Sequence, residues 1–410
     1  MSNASCRLCA AQRLEPLLDL GSMPVAHRLL ESADSAEECF PFALAVCAEC
    51  GLVQIEKPID PERLYSGYNY NFSSWKFEPH LEAELQTIVE RIAPDSVLEI
   101  GCNDGRFLEA LRARGVARCA GIEPNPAPAA LARERGLDVY GGYASPELVA
   151  QIVAERGTFD LVVARQVLEH VHNPVGFLGA ARAALVPGGY LFVDIPEFGP
   201  ARALGDCSVL WEEHVSYFTD ATLRAAVRRA GFEPTWSARY DFSGTTLAAL
   251  AKSGERAIAG ALEDDLAVEL AATRAFPRRV GEYRERLRAV LARARSLGVR
   301  VVLYGVGVRA CTAVNGLDLG ASFDLVLDDQ PERQGKFMPG TRLPIVAPQT
   351  LAASRGPVLC ALAVNNENEA RVRARLDGIL GAQVRYLSIC GPANVWDELD
   401  RAERCTWAAA

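Results

Sequence analysis

Between Val97 and Phe232, short apolar runs alternate with stretches whose apolar residues recur at helical spacing. The runs predict strands at Val97–Ile100, Cys119–Ile122, Asp138–Tyr140, Leu161–Ala164 and Tyr190–Ile195. Ahead of them, Glu78-Pro79-His80 opens an amphipathic helix reaching about Ile92. Thr219 or Asp220 caps another, Asp220–Ala230. Strand and helix in alternation predict a doubly wound α/β sheet, with ligands at the carboxyl ends of its strands. A charged helical stretch from Glu255 to Ser296, interrupted at Pro277, reads as a solvated face. The pattern then restarts: Val301–Tyr304 enters the turn Gly305-Val306-Gly307, Phe323–Leu327 ends in Asp328-Asp329, and Leu359–Val364 ends at Asn365-Asn366. A second parallel sheet follows from that order.

The first strand ends in Glu99-Ile100-Gly101-Cys102-Asn103-Asp104-Gly105, and a helix starts at Arg106. Glycines clear side chains where a ligand meets the backbone, and a helix start offers free N–H groups. Dinucleotide enzymes carry G-x-G-x-x-G, whose middle glycine lets a pyrophosphate lie against the chain. Here Asn103 holds that place. A second acid, Glu123, ends the second strand and precedes Pro124-Asn125; a carboxylate there can hold two ribose hydroxyls. Arg165-Gln166 follows the fourth strand and belongs to the same crevice. The loop E-x-G-x-N-x-G resembles motif I of class I S-adenosylmethionine (SAM) methyltransferases. So does the later order of L-x-H-V around His170 and L-x-P-G-G at Gly188-Gly189. The expected cofactor residues are Glu99, Gly101, Asn103, Gly105, Glu123, Pro124, Asn125, Arg165 and Gln166.

Cys6-x-x-Cys9 and Cys47-x-x-Cys50 are two knuckles, each aiming two thiolates at one point. Four thiolates make a closed tetrahedral zinc site with no open position for catalysis; redox dithiols are the alternative. Cys39 reads as a small buried hydrophobe outside the set.

The chain has 410 residues and is 50% hydrophobic, enough for two or three cored domains. A net charge of −9 gives a nucleic-acid partner no electrostatic support. No apolar run has membrane-spanning length and no signal peptide is recognised, so a cytoplasmic enzyme is the expectation.

Trp211-Glu212-Glu213-His214-Val215-Ser216-Tyr217-Phe218 follows the fifth strand. A Glu-His pair beyond a strand end is placed for proton transfer, since histidine titrates near neutrality and a carboxylate can orient it. A loop histidine satisfied by backbone is the bland alternative. His170 can be a crevice residue, a helix-start histidine or one hydrogen-bonding a loop; His172 reads as exposed. Tyr65–Trp75 is an aromatic, polar stretch, either a lid or a packed linker.

The order of paired knuckles, Y-x-Y-x-x-S-S, E-x-G-x-N-x-G and E-H-V-S-Y-F resembles the three-part C-methyltransferases of antibiotic deoxysugar pathways. G-K-F-M-P-G-T at Gly335–Thr341 adds a match in the last third. The resemblance implies a zinc-ribbon-like domain at 1–65, a class I methyltransferase domain at 66–250 and a Rossmann-like substrate-binding domain at 251–410. It implies SAM and a structural zinc ion as cofactors, and a nucleotide-linked 4-keto deoxysugar, dTDP-linked, as the small-molecule partner. Methylation at C3 through an enolate is the implied reaction. His214 is then the general base, with Glu213 and Tyr70 shaping the site. Tyr68, Ser73, His170, Tyr217 and Tyr304 are the expected substrate contacts. Arg309 stands where relatives carry a lysine. Trp211 departs from the pattern, which has an aromatic hydroxyl three residues before the histidine. O- or N-methylation, another ketone acceptor, and a non-enzymatic zinc- and SAM-binding partner protein remain the alternatives.

Overall fold

The structure is a computed structural model that describes residues 5–64, 78–254, 266–353, 356–390 and 395–404. Tyr68, Tyr70 and Ser73, with the rest of the aromatic stretch, lie outside the described residues. The strands in chain order are β1 (Leu14–Pro24), β2 (Cys39–Cys47), β3 (Val53–Ile55), β4 (Ser96–Ile100), β5 (Arg118–Glu123), β6 (Asp138–Gly141), β7 (Phe159–Arg165) and β8 (Leu185–Pro196). After them come β9 (Ser216–Tyr217), β10 (Phe232–Tyr240), β11 (Thr246–Ser253), β12 (Arg300–Tyr304), β13 (Val326–Leu327), β14 (Ile345–Val346), β15 (Val358–Leu362) and β16 (Val384–Ser388).

They form three sheets. The central one has seven strands in the order β10-β11-β8-β7-β4-β5-β6. Strands β4 to β8 run parallel, and the β10-β11 hairpin closes one edge antiparallel. All five residues of β4 are buried, as a strand covered on both faces requires. Helices start where Asn or Ser precedes proline. Asn125, Ser145 and Asn173 each accept a backbone N–H of the first turn, and Pro126, Pro146 and Pro174 follow. Thr219 caps Asp220–Arg229 in a reciprocal pair with Thr222, which decides between the two expected caps. The C-terminal sheet is wholly parallel, ordered β14-β13-β12-β15-β16. Counted within its own domain that order is 3-2-1-4-5, the Rossmann-like winding. The charged stretch forms helices Leu266–Arg274 and Phe276–Ser296, with Pro277 in the first turn of the second, where a missing N–H costs nothing.

The N-terminal sheet is antiparallel, in the order β1-β2-β3-β9. Its fourth strand comes from the middle of the chain: Val53 pairs with Tyr217 and Gln54 with Ser216. The segment just after Glu213-His214 is therefore an edge strand of the N-terminal unit rather than free loop. Cys39, expected to be buried, is exposed at the start of β2, opposite Pro24. One apolar cluster joins all three parts, with Phe42, Leu44, Phe198, Tyr217, Phe276, Val301 and Met338 in contact networks. Phe337 also bridges to Leu30, and Lys336 Nζ donates to Glu31 Oε1 at 2.7 Å. No described helix is long and apolar enough to cross a membrane.

Candidate active site

The four knuckle sulfurs, of Cys6, Cys9, Cys47 and Cys50, lie within 4.8 Å of one another. Cys6 and Cys50 approach to 3.4 Å, Cys9 and Cys47 to 3.5 Å. Zinc–sulfur bonds of ~2.3 Å in a tetrahedron space the sulfurs by ~3.8 Å, so the cluster fits that ion. The backbone N–H groups of Leu8 and Glu49 point at the sulfurs of Cys6 and Cys47, both at 3.4 Å. Without a cation, four such neighbours cannot all ionise. Hydrogen bonding with Cys47 raises the thiols of Cys6 and Cys50, while the bonds it accepts lower Cys47. The cluster is a closed, structural zinc site.

The glycine loop sits at the carboxyl ends of β4 and β7, where the strand order reverses. Gly101 and Gly105 have φ of +75° and +79°. A Cβ on Gly101 would stand 2.5 Å from Val167 Cγ2, and one on Gly105 would collide with Leu137 Cδ1. The protein's own packing therefore also requires these glycines, beside the expected room for a ligand. Asn103 takes φ +47°, which asparagine tolerates better than most residues. Its backbone N–H donates to Glu123 Oε2 at 2.9 Å, and that of Asn125 donates to Oε1 at 2.8 Å. Each carboxylate oxygen keeps a second lone pair for a ligand hydroxyl. Pro124 joins Glu123 to Asn125, whose side chain caps the next helix.

Glu99 is buried on β4, and its Oε2 has no hydrogen-bond partner among the described residues. Burial pushes its carboxyl up to about 8. A cationic ligand group, such as the ammonium of the SAM amino-acid end, would supply the partner this oxygen lacks. The proton that the folded chain retains leaves a testable trace. The raised value favours the fold most below about 4.5, and that advantage is lost as pH rises through about 8. Glu99→Gln is expected to remove this pH dependence, so its melting temperature gains on the parent's between pH 5 and pH 8. Its affinity for S-adenosylhomocysteine should drop about tenfold, the worth of one charge-assisted bond. Thermal melts with and without that ligand measure both, and unchanged affinity would reject the assignment.

Arg165 ends β7 and Gln166 follows it. Gln166 takes φ +52° and donates from Nε2 to Asp194 Oδ1 at 2.8 Å. Arg165 is held by protein carboxylates: Nε donates to Glu84 Oε2 at 2.9 Å and Nη2 to Glu78 Oε1 at 3.0 Å. Its guanidinium also lies over the Phe107 ring. Burial opposes its charge, but the surrounding carboxylates outweigh it and hold Arg165 above its usual range. His80, at the start of the helix, joins this cluster 3.4 Å from Asp194 Oδ2, against Tyr240 and Phe242. The cluster pins helix Leu81–Arg91 across the sheet. Sequence reasoning missed Asp194 and Glu84, although a lone acid in the apolar run Leu191–Ile195 is a visible signal.

The turn Leu168–His170 connects the cofactor crevice to the histidine loop. At one end Val167 packs on Gly101; at the other, His170 Nδ1 lies 2.9 Å from the Glu213 carbonyl oxygen. A carbonyl only accepts, so Nδ1 carries the proton and Nε2 keeps a lone pair. Burial holds His170 below the ordinary histidine value. Its ring meets His214 edge to face, centroids 4.8 Å apart. His214 is buried and packs against Trp211 at 4.1 Å on another side. Glu213 and Glu212 are both buried beside it, and burial raises Glu212 to about 7.

Two expected substrate contacts have internal surroundings. Tyr217 is buried in β9 and donates its hydroxyl to the Trp211 carbonyl at 3.2 Å. Tyr304 is buried at the end of β12 near Asp329. Arg309, at the C-terminal glycine turn, forms an ion pair with Asp206 Oδ2 at 3.1 Å and bonds Ser208, clamping the last domain to the middle one. His172 is exposed, as expected.

Three family models match the chain in succession. They are described as "Putative zinc binding domain" over residues 6–65, "Methyltransferase domain" over 77–236 and "C-methyltransferase C-terminal domain" over 248–387. The chain is 28% identical over 363 residues to C-methyltransferase NovU of Streptomyces niveus, covering 85% of this chain and 86% of that enzyme. A stretch of 115 residues is 36% identical to ubiquinone biosynthesis O-methyltransferase of Pseudomonas aeruginosa (strain UCBPP-PA14), 28% of this chain and 49% of that enzyme. A solved structure of Burkholderia thailandensis 1,6-didemethyltoxoflavin-N1-methyltransferase, with S-adenosylhomocysteine bound, is similar at 18% identity and TM-score 0.38, covering 52% of this chain and 96% of that one. The chain is a SAM-dependent methyltransferase. Within that class it belongs to the three-domain C-methyltransferases, in which a zinc-binding unit precedes the SAM domain and a Rossmann-like domain follows it.

Proposed function

We propose that the enzyme methylates the carbon next to the ketone, C3, of a nucleotide-linked 4-keto deoxysugar. One observation carries the reading: His214, buried between Trp211 and His170, stands where the turn from the cofactor crevice ends. Bound SAM supplies an activated methyl group on a sulfonium. A carbon acceptor becomes a nucleophile only when its C–H proton is removed and the charge passes to the ketone oxygen. His214 takes that proton, and a donor near the ketone steadies the oxyanion. Tyr70, outside the described residues, is assigned to shaping the site with Glu213; Tyr68 and Ser73 are assigned to the sugar. Tyr217 and Tyr304 are likewise assigned to the substrate. The assigned domains are 1–65, 66–250 and 251–410, the last holding a thymidine diphosphate group. Relatedness to an enzyme named as a C-methyltransferase supports transfer to carbon.

Incubation with dTDP-4-keto-6-deoxyglucose and S-adenosylhomocysteine in deuterium oxide tests the reading. Deuterium should enter at the carbon next to the ketone, in the parent enzyme and not in His214→Asn. Trp211, which replaces a hydroxyl-bearing ring, favours a second reading in which another ketone is the acceptor. That reading predicts exchange with the other ketone and none with the sugar. Methylation of oxygen or nitrogen predicts exchange with neither.

A further inference from the structure

The N-terminal unit touches the histidine loop through two consecutive residues that follow β1. The Ala26 N–H donates to Glu212 Oε1 at 2.7 Å. His27 Nδ1 lies 3.3 Å from Glu213 Oε1, with both side chains largely buried. The imidazole of His27 and the carboxylates of Glu212 and Glu213 offer polar atoms all within 4.8 Å of one another. Two buried carboxylates side by side repel, and an imidazole nitrogen at ion-pair distance from one of them offsets that repulsion. The opposite face of Glu213 is also held, because His170 Nδ1 donates to its carbonyl. Glu213 is thus gripped at its side chain from the N-terminal unit and at its backbone from the SAM domain. Val215, the residue after His214, is held as well: its carbonyl accepts from Ile55 N–H at 3.1 Å and from Arg7 Nη1 at 3.2 Å. His214 lies between these fixed points, so they set where its backbone sits, and the ring leaves that backbone to pack against Trp211 and His170.

We propose that His27 is a positioning residue for methyl transfer: it holds the Glu213 carboxylate and thereby aims the His214 imidazole. The zinc-binding unit then contributes to the active site itself and does more than stabilise the fold. His27 touches neither substrate nor cofactor in this role. The inference rests on His214 being the base. A displacement of about 1 Å in a reacting group can cost a hundredfold in rate, which sets the scale of the effect.

The test compares His27→Ala, His27→Phe, His27→Gln and His214→Asn in the full-length, zinc-loaded enzyme. Zinc content, affinity for S-adenosylhomocysteine and methyl transfer to dTDP-4-keto-6-deoxyglucose are measured for each. Ala and Phe should lower kcat by about ten- to a hundredfold, with KM and ligand affinity within about twofold of the parent. Gln, which keeps an N–H donor, should recover most of the loss. Should the Ala variant fail to fold, the Phe and Gln pair decides: a lower kcat in Phe than in Gln supports the role, and equal values overturn it. Parental kcat in every His27 variant, with His214→Asn inactive, overturns this inference and leaves the base in place. Full activity in His214→Asn removes the base instead.

Discussion

Replacing His214 by asparagine is expected to lower methyl transfer by about a thousandfold while leaving SAM affinity within about twofold. Positioned general bases contribute roughly 10² to 10⁴ in rate, and carbon acids lie toward the demanding end because no lone pair is ready to attack. Asparagine cannot accept a proton near neutral pH, yet it is polar and small enough for the space between Trp211 and His170. The loop should survive the change. Its backbone is held by the Trp211 carbonyl, which accepts the His214 N–H at 3.1 Å, and by the strand pairing of Ser216 and Tyr217. The glycine loop of the cofactor crevice is tied to Glu123 through backbone groups, which the substitution leaves in place. Initial rates of S-adenosylhomocysteine formation, together with calorimetric titration of that product, measure both halves. Residual activity that vanishes in a His170→Asn/His214→Asn double variant would mark His170, whose Nε2 keeps its lone pair, as the substitute acceptor. Parental turnover in the single variant sinks the base assignment.

Zinc removal should be as damaging, by a different route. Four thiolates around zinc are worth about 10 to 16 kcal/mol in small zinc-binding peptides, so the knuckles do not hold together without it. Cys47 ends β2, and Cys50 stands just before β3. β3 in turn pairs with Ser216 and Tyr217, and Arg7, between the first two ligands, donates to the Val215 carbonyl. Loss of the ion therefore reaches the residues flanking His214 within one strand pairing. A Cys47→Ser variant, or the parent treated with a strong chelator, should lose nearly all methyl transfer. Amide exchange should rise in residues 212–217. S-adenosylhomocysteine should still bind within about threefold, because β4, β5 and β7 build that crevice without the N-terminal sheet. Zinc-free protein that turns over at the parental rate would show that the knuckles are remote from the chemistry.

Much of this architecture obeys local rules. The strand runs, the cap-proline starts at Asn125, Ser145 and Asn173, and the left-handed glycines at 101 and 105 all follow from a few neighbouring residues. The knuckles are legible for the same reason, because C-x-x-C is a turn that presents two sulfurs whatever lies around it. Arg165 shows where such rules stop. Its place after a strand predicts the crevice, but helix Leu81–Arg91 brings Glu84 against it and the guanidinium joins a buried ion cluster. Arg309 behaves alike, drawn to Asp206 across the domain boundary. Cys39 was expected inside because free cysteine is usually buried; its position on an edge of β2 leaves it exposed.

Taken alone, then, the order of residues determined the strand–helix alternation behind both parallel sheets, the glycine loop and the paired cysteine knuckles. Each is encoded within one element or one turn, where periodicity and backbone preference act at short range. Only the tertiary structure decided that β9 completes the N-terminal sheet, that His27 meets Glu213 and that His170 holds the Glu213 carbonyl. These contacts join positions far apart in the chain. Their partners are selected by packing and by the need to pair buried polar groups, which a linear pattern does not record.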